Sequence, residues 1–323
     1  MAELCRITKG HGQTDSGLSA LCWKMAHMNP GITYALSAYL IWGMFPLYFR
    51  LLGDVPALEV VMHRTVWSLL FVMLVLLYLK RWAWIGQVMR QPKVLGAFVL
   101  SALLLSSNWL LYVWAVQTQH VLDASLGYFI LPLVNVAFAY VFLGERPRRG
   151  QWVAVGIAGL GVVWIAYEAG RLPWVAIVLA LTFGFYGLLR KVAVLGALEG
   201  LTLETMVLAP IAAAYMAYGV WQGDSVLLQG PTSTLVWLAL AGPLTAIPLL
   251  LFAAGARRIP MTTLSFLQYL SPSILFLLSV LVFKEPLQLS RLIGFALIWG
   301  ALVVYSLEGV HNNRKARLVA VAT

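Results

Sequence analysis

Residues 121–145, VLDASLGYFILPLVNVAFAYVFLGE, and residues 261–285, MTTLSFLQYLSPSILFLLSVLVFKE, decide the fold. Set side by side at an offset of 140, Ser125 falls on Ser265, Phe129 on Tyr269, Pro132 on Pro272 and Glu145 on Glu285. The match runs without a gap over residues 108–164 and 248–304, where Tyr112 meets Phe252. Both copies are long, apolar and interrupted by proline. A helical unit used twice inside a membrane is the usual construction of a secondary transporter, with the solute site between the copies.

Working outward, the whole chain reads as lipid-embedded. Of its 323 residues 61% are hydrophobic and 11% charged, with a mean hydropathy of +0.86. A soluble domain cannot bury that much apolar surface. Ten apolar runs, near 31–50, 57–79, 94–117, 123–143, 150–167, 173–190, 200–220, 234–255, 261–283 and 289–308, are each long enough to cross a hydrocarbon core of about 30 Å as helix. They are continuously apolar rather than alternating, which excludes an outer-membrane barrel. The expected fold is an all-α integral membrane protein of ten spans in two inverted five-helix repeats. Its expected parts are a cytoplasmic, disordered tail (1–29), repeats at 30–168 and 169–308, and a cytoplasmic tail (309–323).

The net charge of +10 invites a nucleic-acid reading, but the basic residues sort by topology instead. Arg6, Lys9, Lys24, Lys80, Arg81, Arg90, Lys93, Arg146, Arg148, Arg149, Arg190, Lys191, Arg257, Arg258, Arg314, Lys315 and Arg317 fall in the tails and even-numbered loops. Arg50, Arg171, Lys284 and Arg291 fall on the other side, and Arg64 within a helix. This asymmetry predicts both termini in the cytoplasm, as an even span count requires. An odd number of spans per repeat inverts the second copy. Accordingly Arg146, Arg148 and Arg149 follow the fourth span, whereas Lys284-Glu285-Pro286 follows the ninth. Cys5 and Cys22 then face a reducing compartment and form neither a disulfide nor a zinc motif. Residues 1–29 lack the apolar core of a signal peptide, and a natural start at Met25 or Met28 is one reading of this tail.

No Gly-x-x-x-x-Gly-Lys-Ser/Thr loop, His-Glu-x-x-His or Gly-x-Ser-x-Gly occurs, so the sequence encodes neither an ATP-driven pump nor a recognisable hydrolase. No catalytic residue, cofactor or metal site is expected. Polar residues inside spans carry more information, because hydrocarbon penalises them unless they face a bundle interior or a wet cavity. Asn108, Tyr112, Ala115 and Gln119 share one face of the third span; Ser125, Tyr128, Pro132 and Asn135 share one face of the fourth. The repeat carries the latter stripe to Ser265, Gln268, Pro272 and Leu275. A solute cavity with bends at Pro132 and Pro272 is one reading; interhelical hydrogen bonding alone is the other.

On the second span Glu59, His63 and Trp67 share a face, with Arg64 about 100° away. Arg64 suits a solute carboxylate or phosphate, and Glu59 or His63 could take up a proton; equally, Arg64 could snorkel outward or pair with Glu59. Glu204 reads as an N-terminal charge favoured by the helix dipole, and Glu145 and Glu285 as capping or turn residues. Small residues on the fifth and tenth spans, with Ala154/Ala158 and Ala296/Gly300 as close-approach pairs, predict packing between these spans or a homodimer through them.

Several segments resemble the RarD group of EamA transporters, within the drug/metabolite transporter superfamily. They are Ala38–Gly43 (AYLIWG), Glu59 through His63-Arg64, Asn108–Leu111 (NWLL), Asp123–Phe129 (DASLGYF), Pro132–Asn135 (PLVN), Leu143–Arg146 (LGER) and Phe183–Lys191 (FGFYGLLRK). That group often shows Asn-Pro where this chain has Leu131-Pro132. The resemblance covers residues 30–308. It implies a multi-pass protein of the bacterial inner membrane, with a cavity between spans one to four and six to nine, and spans five and ten outside it.

The expected function is a permease exporting small amphipathic metabolites or drugs by alternating access. Its expected cavity is lined by Trp42, His63, Arg64, Asn108, Tyr112, Tyr128, Asn135, Tyr186, Gln268 and Tyr269, with Glu59 and His63 as proton- or charge-coupling residues. The expected partners are a small solute, the bilayer and a second copy of the chain, with no nucleic acid. A channel and a non-transporting membrane enzyme or partner protein are the alternatives.

Overall fold

Ten helices among the described residues are long and apolar enough to cross a membrane. They are Pro30–Leu52, Leu58–Leu79, Pro92–Ala115, Leu126–Leu143, Arg149–Glu168, Trp174–Val192, Ala197–Gln222, Thr232–Ala256, Met261–Leu278 and Leu292–Gly309. A computed structural model describes residues 29–53, 55–80, 82–117, 121–168, 174–282, 284 and 289–322. The tail 1–28, Gln119, Arg171 and Glu285 lie outside the described residues, as does the Ser125 side chain. The last helix continues beyond its apolar window to Ala322.

Short connections force successive spans to run antiparallel. We call the face bearing Pro30 the near face and the opposite one the far face. The contacts follow the duplication. The fourth span packs on the sixth, and its counterpart, the ninth, packs on the first. The eighth packs on the first and second, and its counterpart, the third, packs on the sixth and seventh. The second and seventh, fourth and ninth, and fifth and tenth spans pair with their own counterparts. With five spans in each copy, the second copy starts from the far face. The expected ten-span fold with two inverted repeats is the one observed.

Two spans break beside a proline, while Pro132, Pro210, Pro243 and Pro248 lie inside continuous helices. The ninth span divides into Met261–Gln268 and Leu270–Leu281 at Tyr269. Pro272 has no N–H for the carbonyl of Gln268, and its ring crowds that carbonyl. The first span divides at Met44 into Pro30–Gly43 and Phe45–Leu52; there Pro46 acts on the carbonyl of Trp42 in the same way. This second break falls in a run that reads as unbroken in the sequence. The fourth span, in contrast, stays one helix through Pro132, so the bend expected there is not a break. Pro132 only deprives the Tyr128 carbonyl of its helical donor. At the near face Asn29 caps the first span by accepting from the Gly31 N–H at 2.9 Å.

The fifth and tenth spans meet through small residues. Ala154, Ala158 and Gly161 are buried, and a Cβ on Gly294 would collide with the Ile165 side chain. Ala296 is exposed, and a Cβ on Gly300 would meet nothing, so that pair lies off the contact. Gly294→Leu should therefore lower stability by about 1–3 kcal/mol through overpacking. Gly300→Leu should leave it unchanged. Apparent melting temperatures of the detergent-purified variants measure both.

Candidate functional site

The second span carries its charged residues within about its first two turns from the far face, Glu59 in the first turn and Arg64 about one turn further in. Arg64 stacks on Trp109 of the third span, with the guanidinium carbon 4.0 Å from the ring centre. Tyr48, Tyr112 and Tyr128 lie within electrostatic range of it. Tyr112 and Tyr128 pack edge to face at 6.2 Å. Tyr128 keeps 44% of its surface accessible. The Arg64 Nε is buried without a hydrogen-bond partner.

Glu59 and His63, one turn away, are committed differently. Glu59 Oε1 accepts from the Val226 N–H at 2.9 Å and the Ser225 hydroxyl at 3.2 Å. It thus holds the start of the short helix Val226–Gln229 against the second span, and does not pair with Arg64. His63 is fully buried. Its Nδ1 accepts from Trp67 Nε1 at 3.4 Å, which leaves the ring proton on Nε2. That Nε2 faces Glu59 Oε1 at 3.9 Å, too far for a hydrogen bond.

At mid-depth the two repeats cross. Asn135 Nδ2 donates to Gln268 Oε1 at 2.9 Å, from the fourth span to the ninth. The Tyr269 hydroxyl donates to the Phe129 carbonyl at 3.3 Å. Pro132 and Pro272 are both buried beside this crossing. Trp42 belongs to an aromatic cluster with Tyr39, Phe183 and Phe252, and Tyr186 stacks on Phe252. Asn108 is spent on a helix contact: its Nδ2 donates to the Leu179 carbonyl and the Thr182 hydroxyl. Hence Arg64, Tyr112 and Tyr128 come together with Trp109 in the far half. Asn135, Gln268 and Tyr269 form a separate crossing below it, and Trp42 and Tyr186 form an aromatic wall.

The near face holds charges that sequence reasoning placed in loops. Arg190 is 2% exposed and Glu204 is 0%. Their Nη1 and Oε1 lie 3.7 Å apart, and Ser101 donates to the same Oε1 at 2.5 Å. Arg190 also donates to the Ala197 carbonyl and occupies the room left by Gly200, where a Cβ would collide with it. Glu204 is therefore a buried ion-pair partner rather than a simple dipole-favoured terminal charge. Next door, Lys191 reaches Glu145 at 3.8 Å and the Ala256 and Ile259 carbonyls. Glu145 caps the ninth span by accepting from the Met261 and Thr262 N–H groups, not the helix that follows it. A cavity of about 180 Å³ opens between the near ends of the third and sixth spans and ends on Ser101 and Arg190.

Breaking a buried pair leaves an uncompensated charge. Glu204→Gln should thus cost about 3–5 kcal/mol of stability. Replacing both partners, Arg190→Met with Glu204→Leu, should cost much less. Denaturation of the purified variants in detergent compares the two.

With this geometry in place, the comparisons with known proteins are specific. The EamA-like transporter family model matches the chain twice, over residues 29–167 and 172–307. An uncharacterised transporter of Pseudomonas aeruginosa is 46% identical over 90% of this chain and 97% of its own. The RarD proteins of Streptomyces exfoliatus and Escherichia coli are 44% and 41% identical, over 89% and 88% of this chain and 91% and 96% of theirs. A solved crystal structure matches 86% of this chain and 97% of its own with a TM-score of 0.66 at 20% identity, a likeness of fold alone. The chain is a multi-pass membrane protein, a transporter rather than an enzyme, and it belongs to the EamA-like transporter family.

Proposed function

We propose that the protein is a secondary carrier that exports small amphipathic metabolites or drugs across the bacterial inner membrane by alternating access. In this reading the basic near face is cytoplasmic, and both termini lie there. The observation that carries it is the convergence of Arg64, Trp109, Tyr112 and Tyr128 in the far half. It lies above a near end fastened by the Arg190–Glu204 and Lys191–Glu145 pairs. A carrier exposes its site to one side at a time, as an open channel does not, and ties of this kind would hold the near end closed in one of its states. Aromatic side chains would hold the apolar part of the solute while the few polar groups orient it. The repeats would rock about the Asn135–Gln268 crossing, with the broken first and ninth spans as flexible members. A homodimer through the outward small residues Gly156, Gly159 and Gly300, where a Cβ meets nothing, belongs to the same proposal.

Two measurements test it. Cysteines placed at Arg148 and Lys284 should react with an impermeant maleimide from opposite sides of the membrane; labelling from one side overturns the inverted topology and with it the rocking. In proteoliposomes a transported solute should show saturation and counterflow. Tyr128→Ala should reduce that flux at least tenfold at unchanged protein level, about the loss expected when one group that positions the solute is removed. Flux without saturation would identify a channel.

A further inference from the structure

The observation that asks for an explanation is the state of Arg64. An arginine inside a membrane span is expensive unless its charge is matched or its head reaches water. The head group does not simply snorkel, for its carbon is held over the Trp109 ring at 4.0 Å and its Nε is buried. Nor is it matched: among the described residues no carboxylate lies within ion-pairing distance of it. The nearest acid on its own helix, Glu59, is taken by Ser225 and Val226. Arg64 donates no hydrogen bond to a described residue, and its Nε is buried and unpartnered. The other deep cation, Arg190, has Glu204 and a backbone carbonyl. With its carbon over the Trp109 ring, the guanidinium has no described acceptor for its N–H groups, and the paired rings of Tyr112 and Tyr128 lie within electrostatic range of it.

We infer that the missing partner is the solute, and that the solutes of this site are amphipathic monocarboxylic acids. The carboxylate meets the N–H groups of Arg64 in a planar two-point contact, and an aromatic or branched apolar body lies against the Tyr112 and Tyr128 rings. Two physical points select the class. A guanidinium edge presents parallel donors that fit a carboxylate and no neutral amide equally well. Among the described residues Arg64 brings one positive charge without a carboxylate partner, which suits one negative charge; a phosphate dianion would bring a second that Arg64 alone does not neutralise. His63 does not supply that second charge, since its Nδ1 is engaged as an acceptor by Trp67.

This inference rests on the carrier reading for its word solute, but its test is binding alone. Benzoate and 3-phenylpropionate, their neutral amides, benzylamine and phenyl phosphate would be titrated into the full-length protein in nanodiscs by calorimetry. The two carboxylates should bind at least tenfold more tightly than their amides, the amine or the phosphate. Arg64→Gln should remove at least tenfold of that affinity, and Arg64→Lys, which keeps the charge but not the planar edge, should fall between. Should Arg64→Gln fail to fold, Tyr128→Phe supplies a milder test, with a smaller loss for carboxylates and none for amides. Amides binding as well as acids, preference for the amine or the phosphate, wild-type affinity in Arg64→Gln, or no carboxylate binding at millimolar concentration each overturns the inference. Counterflow of a neutral or cationic solute without carboxylate binding would sink it and spare the carrier. Carboxylate binding without counterflow would do the reverse.

Discussion

Hydrocarbon offers no hydrogen bonds, so a polar group within a span must find its partner inside the bundle. Most of the interior of this protein can be understood as the working out of that demand. Thr65, Thr202, Thr205 and Ser265 turn back to carbonyls of their own helices, and Ser68 reaches the Gly242 carbonyl across a helix contact. Asn108 and the Asn135–Gln268 pair join helices of different repeats. Glu59 and Glu145 spend their carboxylates on backbone N–H groups at helix starts. Other buried polar atoms also lack a hydrogen bond, those of Arg190 among them, but Arg190 has a carboxylate beside it, whereas Arg64 has no carboxylate partner among the described residues.

The duplication makes the contrast sharper. At the offset of 140, Glu59 corresponds to Glu199 and Arg64 to Glu204. The two copies therefore place opposite charges at one structural position, a cation in the far half and an anion in the near half. The anion acquired a local partner, Arg190, together with a glycine that gives the guanidinium room. The cation acquired aromatic rings and hydroxyls instead. Equivalent positions have thus diverged, one into a structural tie and the other into the ligand contact proposed above.

How much of this was legible in the sequence depended on the range of the cause. Span number and repeat inversion rest on hydropathy and on the count of segments, which are local and additive, and they were readable. Pro272 announced its break because it sits mid-run. Pro46 did not, lying close enough to the end of an apolar stretch for the remainder to pass as a continuation. The shared faces were readable from spacing, but what each face meets was not. Asn108 bonds to the sixth span, while Tyr112 on the same face packs on Tyr128, and nothing in their spacing distinguishes those outcomes. Arg190 and Lys191 looked like loop charges because adjacent basic residues at a span end usually are. Their burial depends on Glu204 and Glu145, which no sequence interval connects to them. Tyr48 and Trp109 were missed for the same reason, since aromatic residues near span ends are commonplace and only their convergence on Arg64 marks them.

Arg190 and Lys191 are consecutive on one helix, so their side chains leave it about 100° apart. One engages Glu204 at the start of the seventh span, within the same repeat; the other engages Glu145 after the fourth span, in the opposite repeat. The end of the sixth span thereby acts as a yoke. A small twist of that helix about its axis strains both ties at once, whereas a pull on either carboxylate is resisted by its companion. In the carrier cycle proposed above, the two ties would therefore part together rather than one after the other.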